Sequence, residues 1–298
     1  EQERVQKKVF VNWINHVLAQ RVPPLRLKDL IEDLRDGTRL LALLEVLSGE
    51  TLPGERGRVL RRPHFISNVN NVLRFLERRR IKLVNINSTD VVDGKPAIIL
   101  GLIWTIILHF QIEQHTASLF PQATGAASPA HVASPARDRD ASVADKWKGG
   151  ARKALLQWVK NAISQRFGIH VNDFGPSWRD GMAFLAIVSR LKPSAVDLDA
   201  ARDWSNRQRL DTAFNIAERE LGVPKLIDAE DVDVAQPDEK SIMTYVAQFL
   251  HKYPDSASQP RDTSGLSSDP ELTKMNEFLT RAEDTLNQQD PDLNEQVR

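Results

Sequence analysis

The feature that most constrains this chain is an internal duplication. The segment "FVNWINHVL" (10–18) aligns with "LLQWVKNAI" (155–163), and "LRDGTRLLALL" (34–44) aligns with "WRDGMAFLAIV" (178–188). The offset between the two copies drifts only from 145 to 141 residues along their length. A self-similarity of this kind means that one structural unit, about 110 residues long, occurs twice.

Each copy has the sequence pattern of an all-α domain. In the first copy, apolar residues recur at helical spacing around Trp13, and the pair that begins at Pro23 ends that helix. Gly49 is expected to end the second helix, Ser67 to cap the third and Pro96 to lie in the first turn of the fourth. Strand signals are nearly absent. The pattern therefore predicts two domains, each with four main helices and short connecting helices.

An apolar run at 97–110 raises the question of a membrane span. It is roughly 14 residues long, whereas a helix that crosses the hydrocarbon of a bilayer needs about 20. We therefore expect a buried core helix. The chain has no cysteine, so it has no disulfide framework and no thiolate metal site, which favours the cytoplasm as its compartment.

Composition divides the chain into five parts. The predicted domains are 4–115 and 146–254, and the Ala/Ser/Pro-rich stretch at 116–145 reads as a flexible linker. A second disordered linker is predicted at 255–270, followed at 271–298 by the start of a spectrin-like helix. The long linker leaves open whether the two domains form a tight closed pair or stay loosely tethered.

Two long motifs carry a family resemblance. The segment 6–15, "QKKVFVNWIN", and the segment 83–107, "LVNINSTDVVDGKPAIILGLIWTII", resemble the two signatures of calponin homology domains. The pair resembles the tandem actin-binding domains of the spectrin, plectin and nesprin superfamily. The amino-acid sequences of these segments and the length of the linker are most similar to those of nesprin-like giant spectrin-repeat proteins.

The resemblance implies binding of F-actin, which would link the actin cytoskeleton to another structure. For a nesprin-like chain, that structure is the nuclear envelope, at the outer nuclear membrane. Net charge agrees, because residues 1–115 carry about +5 and 146–255 only about +1. Three actin-binding segments are implied. Their residues are Gln6, Lys7, Lys8 and Asn12; then Lys82, Lys95, Pro96, Ile99, Ile103 and Ile106; and, most weakly, Lys148, Arg152, Lys153 and Lys160.

The resemblance also brings Trp104 close to Lys240, since the two helices that carry them lie against each other in closed pairs. We predict a cation–π latch between the domains, worth about 1 kcal/mol. The alternative is that Trp104 belongs to the core and Lys240 is solvated.

A second function class is an adaptor that binds phosphoinositides or another protein, with weak or no actin binding. The basic residues Arg56, Arg58, Arg61 and Arg62 could follow a polyanionic head group. They lack interleaved aromatic residues, so no nucleic-acid partner is expected. The acidic stretch from Asp228 lacks the glycine of a calcium loop, and the histidines are scattered. No metal, cofactor or enzyme activity is expected.

Overall fold

In the computed structural model, residues 1–57, 59–117 and 139–254 are described, the last range without the side chains of 139–148. The predicted segments 255–270 and 271–298, and all but the ends of the predicted linker, lie outside these ranges. The described residues contain no strand, which confirms the all-α prediction.

The first copy consists of four main helices with short helices between them. Its elements are α1 (Gln2–Leu18), α2 (Leu30–Leu34), α3 (Thr38–Ser48), α4 (Arg62–Arg78), α5 (Ser88–Val92), α6 (Pro96–Ile107), a π-helical turn (Leu108–Glu113) and α7 (Gln114–Thr116). Pro96 opens α6 and Gly49 caps the end of α3 with φ 74°, as predicted.

The second copy repeats this order. Its elements are α8 (Arg139–Phe167), a 3-10 turn (Pro176–Trp178), α9 (Met182–Leu191), α10 (Leu198–Ala201), α11 (Asn206–Leu221), α12 (Ala229–Val232) and α13 (Glu239–Lys252). Helix α8 begins at Arg139, so the last seven residues of the predicted linker, 139–145, are helical.

One helix start differs from the sequence prediction. Helix α4 begins at Arg62, so Ser67 lies inside the helix and does not cap it. The earlier start is possible because Pro63 lies in the first turn, where its missing N–H removes no helical hydrogen bond. In addition, His64 Nδ1 accepts a 3.0 Å hydrogen bond from the backbone N–H of Arg61.

The glycine of the duplicated Arg-Asp-Gly motif is required by the same backbone geometry in both copies. Gly37 and Gly181 have φ values of 76° and 80° immediately before α3 and α9. A Cβ atom at Gly37 would lie 2.6 Å from the Cβ of Asn68, and one at Gly181 would lie 2.8 Å from the Cβ of Arg209. The positive φ and the close helix behind it both require glycine.

The apolar run forms the central helix of the first copy. Residues Pro96–Thr116 form 21 helical residues that pass the length and hydropathy test for a membrane span, but 67% of that apolar window is buried within the fold. Helix α6 packs against α1, α2 and α5. The segment is thus a core helix, and it is longer than the apolar run because the π-helical turn and α7 continue it.

The described residues of the two copies lie in contact within one compact unit. Helix α1 of the first copy packs against α13 of the second, and α13 also packs against the π-helical turn. The two copies form a closed pair. The sequence did not determine whether they would be closed or loosely tethered.

Candidate functional site

The N-terminal helix presents its basic side chains to the second copy. Arg4 Nη2 donates to Asp231 Oδ1 at 2.7 Å, and Lys8 Nζ donates to Asp231 Oδ2 at 2.9 Å. Lys8 also pairs with Asp228. Two cations of one copy therefore share an acidic pair of the other.

Polar residues on the same helix extend this contact. Gln6 Nε2 donates to Asp238 Oδ1 at 2.7 Å, and Asn12 Nδ2 donates to the backbone carbonyl of Leu226 at 2.9 Å. We call this set the inter-copy polar interface: Arg4, Gln6, Lys8 and Asn12 with Leu226, Asp228, Asp231 and Asp238. Three of the four residues predicted for the first actin-binding segment thus face the second copy here.

Electrostatics stabilise this interface. The Asp231 side chain is only 1% exposed, although both of its cationic partners are partly solvated. The ion pair with Lys8 holds the pKa of Asp228 below its ordinary value. Burial alone would lower the pKa of Lys8, but its hydrogen bonds to Asp228 and Asp231 raise it. Asp228 and Lys8 are therefore both charged at neutral pH.

Lys7 differs from Lys8, although the two are neighbours. Its Nζ pairs at 2.7 Å with Glu3, one turn earlier in the same helix. Of the second predicted segment, Lys95 is exposed and pairs with Asp90, Pro96 is exposed, and Lys82 is partly buried.

The predicted contact surface of isoleucines on α6 needs correction. Ile99 is 1% exposed, and Ile103 and Ile106 are 0% exposed. The helix is enclosed by α1, α2 and α5, so these side chains fill the core and leave no apolar stripe for a partner in this arrangement.

The third predicted segment lies on α8. Arg152 is engaged within its own copy, because its Nε donates to Glu239 Oε1 at 2.5 Å. Lys153 is exposed and Lys160 is partly buried. Lys148 belongs to the part of α8 whose side chains are not described.

Trp104 lies between the core and the second copy. It is 7% exposed, and its ring stacks on that of Phe10 with the centroids 6.4 Å apart. On its other side, Lys240 Nζ lies 5.9 Å from the Trp104 ring centroid. This distance falls within the range of cation–π contacts. The role of this contact as a latch remains a prediction.

Histidines form a further contact between the copies. His251 Nδ1 on α13 lies 2.7 Å from His115 Nε2 on α7, and the two rings meet edge to face. Burial lowers the pKa of both residues and that of His16 on α1, and the charge of Lys252 adds to the effect on His251 and His16. We call His16, His115 and His251 the histidine cluster.

Two of the four arginines predicted for a polyanionic head group pair with carboxylates of the first domain. Arg56 Nη2 pairs with Glu45 at 2.7 Å, and Arg62 Nη1 pairs with Asp93 at 2.5 Å. Arg61 precedes α4, and Arg58 lies outside the described residues.

Sequence reasoning missed the acidic half of the inter-copy interface. By sequence, the acidic stretch from Asp228 invites only a calcium loop, which its missing glycine excludes. In the structure, Asp228 and Asp231 hold Arg4 and Lys8 instead. No local sequence pattern pairs residues that lie so far apart in the chain. The one available signal is the excess of acidic residues around 228–239, which favours a cationic partner.

Several known proteins have sequences similar to this chain. The chain is 59% identical over 281 residues to "Muscle-specific protein 300 kDa" of Drosophila melanogaster, covering 94% of this chain and 2% of that protein. It is 46% identical to Nesprin-2 of Mus musculus, covering 89% of this chain, and 40% identical to "Microtubule-actin cross-linking factor 1" of Rattus norvegicus, covering 95%. The chain spans only 4% and 5% of those two proteins.

A solved structure and a family model agree with the fold. The crystal structure of the actin-crosslinking core of Schizosaccharomyces pombe fimbrin matches with a TM-score of 0.64 and 20% identity, over 87% of this chain and 51% of that one. The sequence model of the calponin homology (CH) domain matches residues 4–112 and 150–255. The chain therefore belongs to the calponin homology family and carries two of its domains in tandem.

Proposed function

We propose that this tandem pair binds F-actin, with the first domain supplying most of the contact and the second regulating access to it. The observation that carries the proposal is the inter-copy polar interface. Gln6, Lys8 and Asn12, which the family resemblance assigns to actin contact, are bound by polar groups of the second domain. This face thus takes an acidic, hydrogen-bonding partner.

The second domain would compete with actin for this face. Its aspartates bind Lys8, so actin can reach that residue only after the two domains separate. Lys7 and Lys95 are different, because their ion pairs in the closed pair are with Glu3 and Asp90 of the first domain. These two lysines can make a first contact with actin before the domains open.

The test is co-sedimentation with F-actin of the chain and of two charge-reversal variants. Lys7→Glu removes an actin contact without touching the second domain, so affinity should fall about fivefold or more. Lys8→Glu removes an actin contact and also opens the pair, so its loss of affinity should be smaller than that of Lys7→Glu.

Arg202→Glu is the matched control, since Arg202 is 65% exposed and pairs with Asp199 three residues away on the second domain. It should bind as the unchanged chain does. If Lys7→Glu binds as tightly as Arg202→Glu, the first helix is not an actin contact and the proposal fails.

In a longer protein such as its relatives, the pair would link actin filaments to another cellular structure that is bound by other parts of that protein. This places it at the actin cytoskeleton. Its similarity to Nesprin-2 supports the nuclear envelope as that structure. The proposed role is structural, and it involves neither an enzyme activity nor a cofactor.

A further inference from the structure

Three histidines that are scattered in the sequence meet where the two domains touch. His115 lies on α7 of the first domain and His251 on α13 of the second, with His115 Nε2 and His251 Nδ1 2.7 Å apart. Burial, followed by the charge of His251, lowers the pKa of His16 on α1, so this third ring lies within electrostatic range of the pair. The histidine cluster thus brings imidazoles from three helices and from both domains to one place.

The two facing nitrogens suit a transition-metal ion. Neutral imidazole is the most common metal ligand in proteins. It binds zinc through a ring nitrogen at about 2.0–2.1 Å, so two such ligands around a tetrahedral ion lie about 3.3 Å apart. The observed pair needs to separate by only about 0.6 Å to match this spacing. One of the facing nitrogens donates its N–H to the other, and the second tautomer of that ring places a lone pair there instead.

The surroundings of the pair leave it accessible to an ion. His16 and His251 are exposed and His115 is half-buried, so water and solutes reach the rings. Burial lowers the pKa of His115 and His251, which leaves both imidazoles neutral and able to bind metal at pH 7.5. The neighbouring cation is Lys252, whose Nζ donates to the backbone carbonyl of Gly222 at 2.9 Å and is held there.

We propose that the histidine cluster is a binding site for Zn²⁺, and that the bound ion ties α7 of the first domain to α13 of the second. His115 and His251 supply two ligands, His16 supplies a third after a change of its side-chain rotamer, and water completes a tetrahedral site. Neither domain alone holds all of these ligands, so the closed pair binds the ion more tightly than the open pair. Zinc therefore shifts the population toward the closed pair.

Two other groups of potential ligands can be distinguished from this site. Asp228, Glu230 and Asp231 bring carboxylate oxygens within 4.8 Å of one another, but a set of oxygen ligands favours Ca²⁺ or Mg²⁺ over Zn²⁺. His109 Nδ1 lies 2.9 Å from Glu113 Oε2, and both of these residues belong to the first domain. An ion held by either group would not link the histidines of the two domains.

The first test is isothermal titration of the chain, purified without a histidine tag, with zinc chloride at pH 7.5. We expect one ion per chain, not displaced by Ca²⁺ or Mg²⁺. His115→Gln and His251→Gln should each abolish this binding, and His16→Gln should weaken it about tenfold or more. The matched controls are His109→Gln and His170→Gln, of which the second removes an exposed histidine of the second domain. Both controls should bind zinc as the unchanged chain does.

The second test measures closure by energy transfer between two dyes in single molecules. The chain has no cysteine, so Val59→Cys and Arg202→Cys place one dye on each domain at side chains that are 75% and 65% exposed. Zinc at ten times its Kd should lower the open population about tenfold, because only the closed pair offers the complete site. Chelation should reverse the change, and His251→Gln should abolish it.

The proposal is overturned if zinc does not bind, or if the control variants lose as much affinity as His115→Gln and His251→Gln. It is also overturned if bound zinc leaves the open population unchanged, or if ultracentrifugation shows that the ion joins two chains instead of two domains. Actin is present in neither test, so failure here leaves the proposed function intact.

Discussion

The carboxylate of Asp231 should control how often the two domains separate. It receives Arg4 and Lys8 from the first domain at 2.7 and 2.9 Å, and its side chain is 1% exposed. Hydrogen bonds to charged groups contribute about 1.5–3 kcal/mol each when well shielded. Arg4 is 54% exposed and Lys8 keeps Asp228 as a partner, so we discount this sum to about 1.5 kcal/mol for Asp231→Asn. The open population should then rise about tenfold.

Opening can be measured through thiol reactivity, because the chain contains no cysteine. Gln248 is 5% exposed and donates to Gln111 of the first domain at 3.3 Å. In a Gln248→Cys background, labelling by excess reagent follows the population in which this position is uncovered. Asp231→Asn should therefore label about ten times faster.

The control for this measurement is Asp211→Asn. It removes the same charge from the second domain, but Asp211 pairs only with Arg207 in its own helix among the contacts described. Equal labelling rates for Asp231→Asn and Asp211→Asn would refute the reasoning, because the interface would then not depend on this carboxylate.

Four further results follow from the structure. Burial lowers the pKa values of the histidine cluster, so the closed pair binds fewer protons than the open pair; closure is favoured above the ordinary histidine pKa of about 6.5 and is lost as pH falls through the lowered values. The measurement is the labelling rate of Gln248→Cys at pH 6 divided by its rate at pH 7.5. This ratio should be larger with the histidine cluster intact than in the His251→Gln variant. Lys240→Gln should speed labelling about fivefold if its contact with Trp104 is a latch, and an unchanged rate would exclude that role. Ile103→Ala should lower the free energy of unfolding by about 3 kcal/mol in urea titrations while the folded protein binds actin normally; a specific loss of actin binding would restore Ile103 as a contact residue. Gly37→Ala should cost about 2 kcal/mol by the same titration, because of its φ of 76° and the 2.6 Å approach to Asn68, and a neutral result would contradict that account.

The sequence by itself determined the duplication, the all-α class and most helix ends. These follow from local rules: apolar spacing reports a helix, and Gly49 and Pro96 act through their own backbone geometry. The start of α4 differs from the prediction because Ser67 is a good cap in isolation, whereas Pro63 and His64 support an earlier start.

Only the tertiary structure decided which surfaces are buried and which charges are paired between the two domains. The pairing of Arg4 with Asp231 joins residues 227 positions apart, and no periodicity or propensity acts over that distance. The same holds for the isoleucines of α6, whose exposure depends on which helices enclose them. Helices form from interactions within a few residues, whereas burial and charge pairing depend on how whole helices pack.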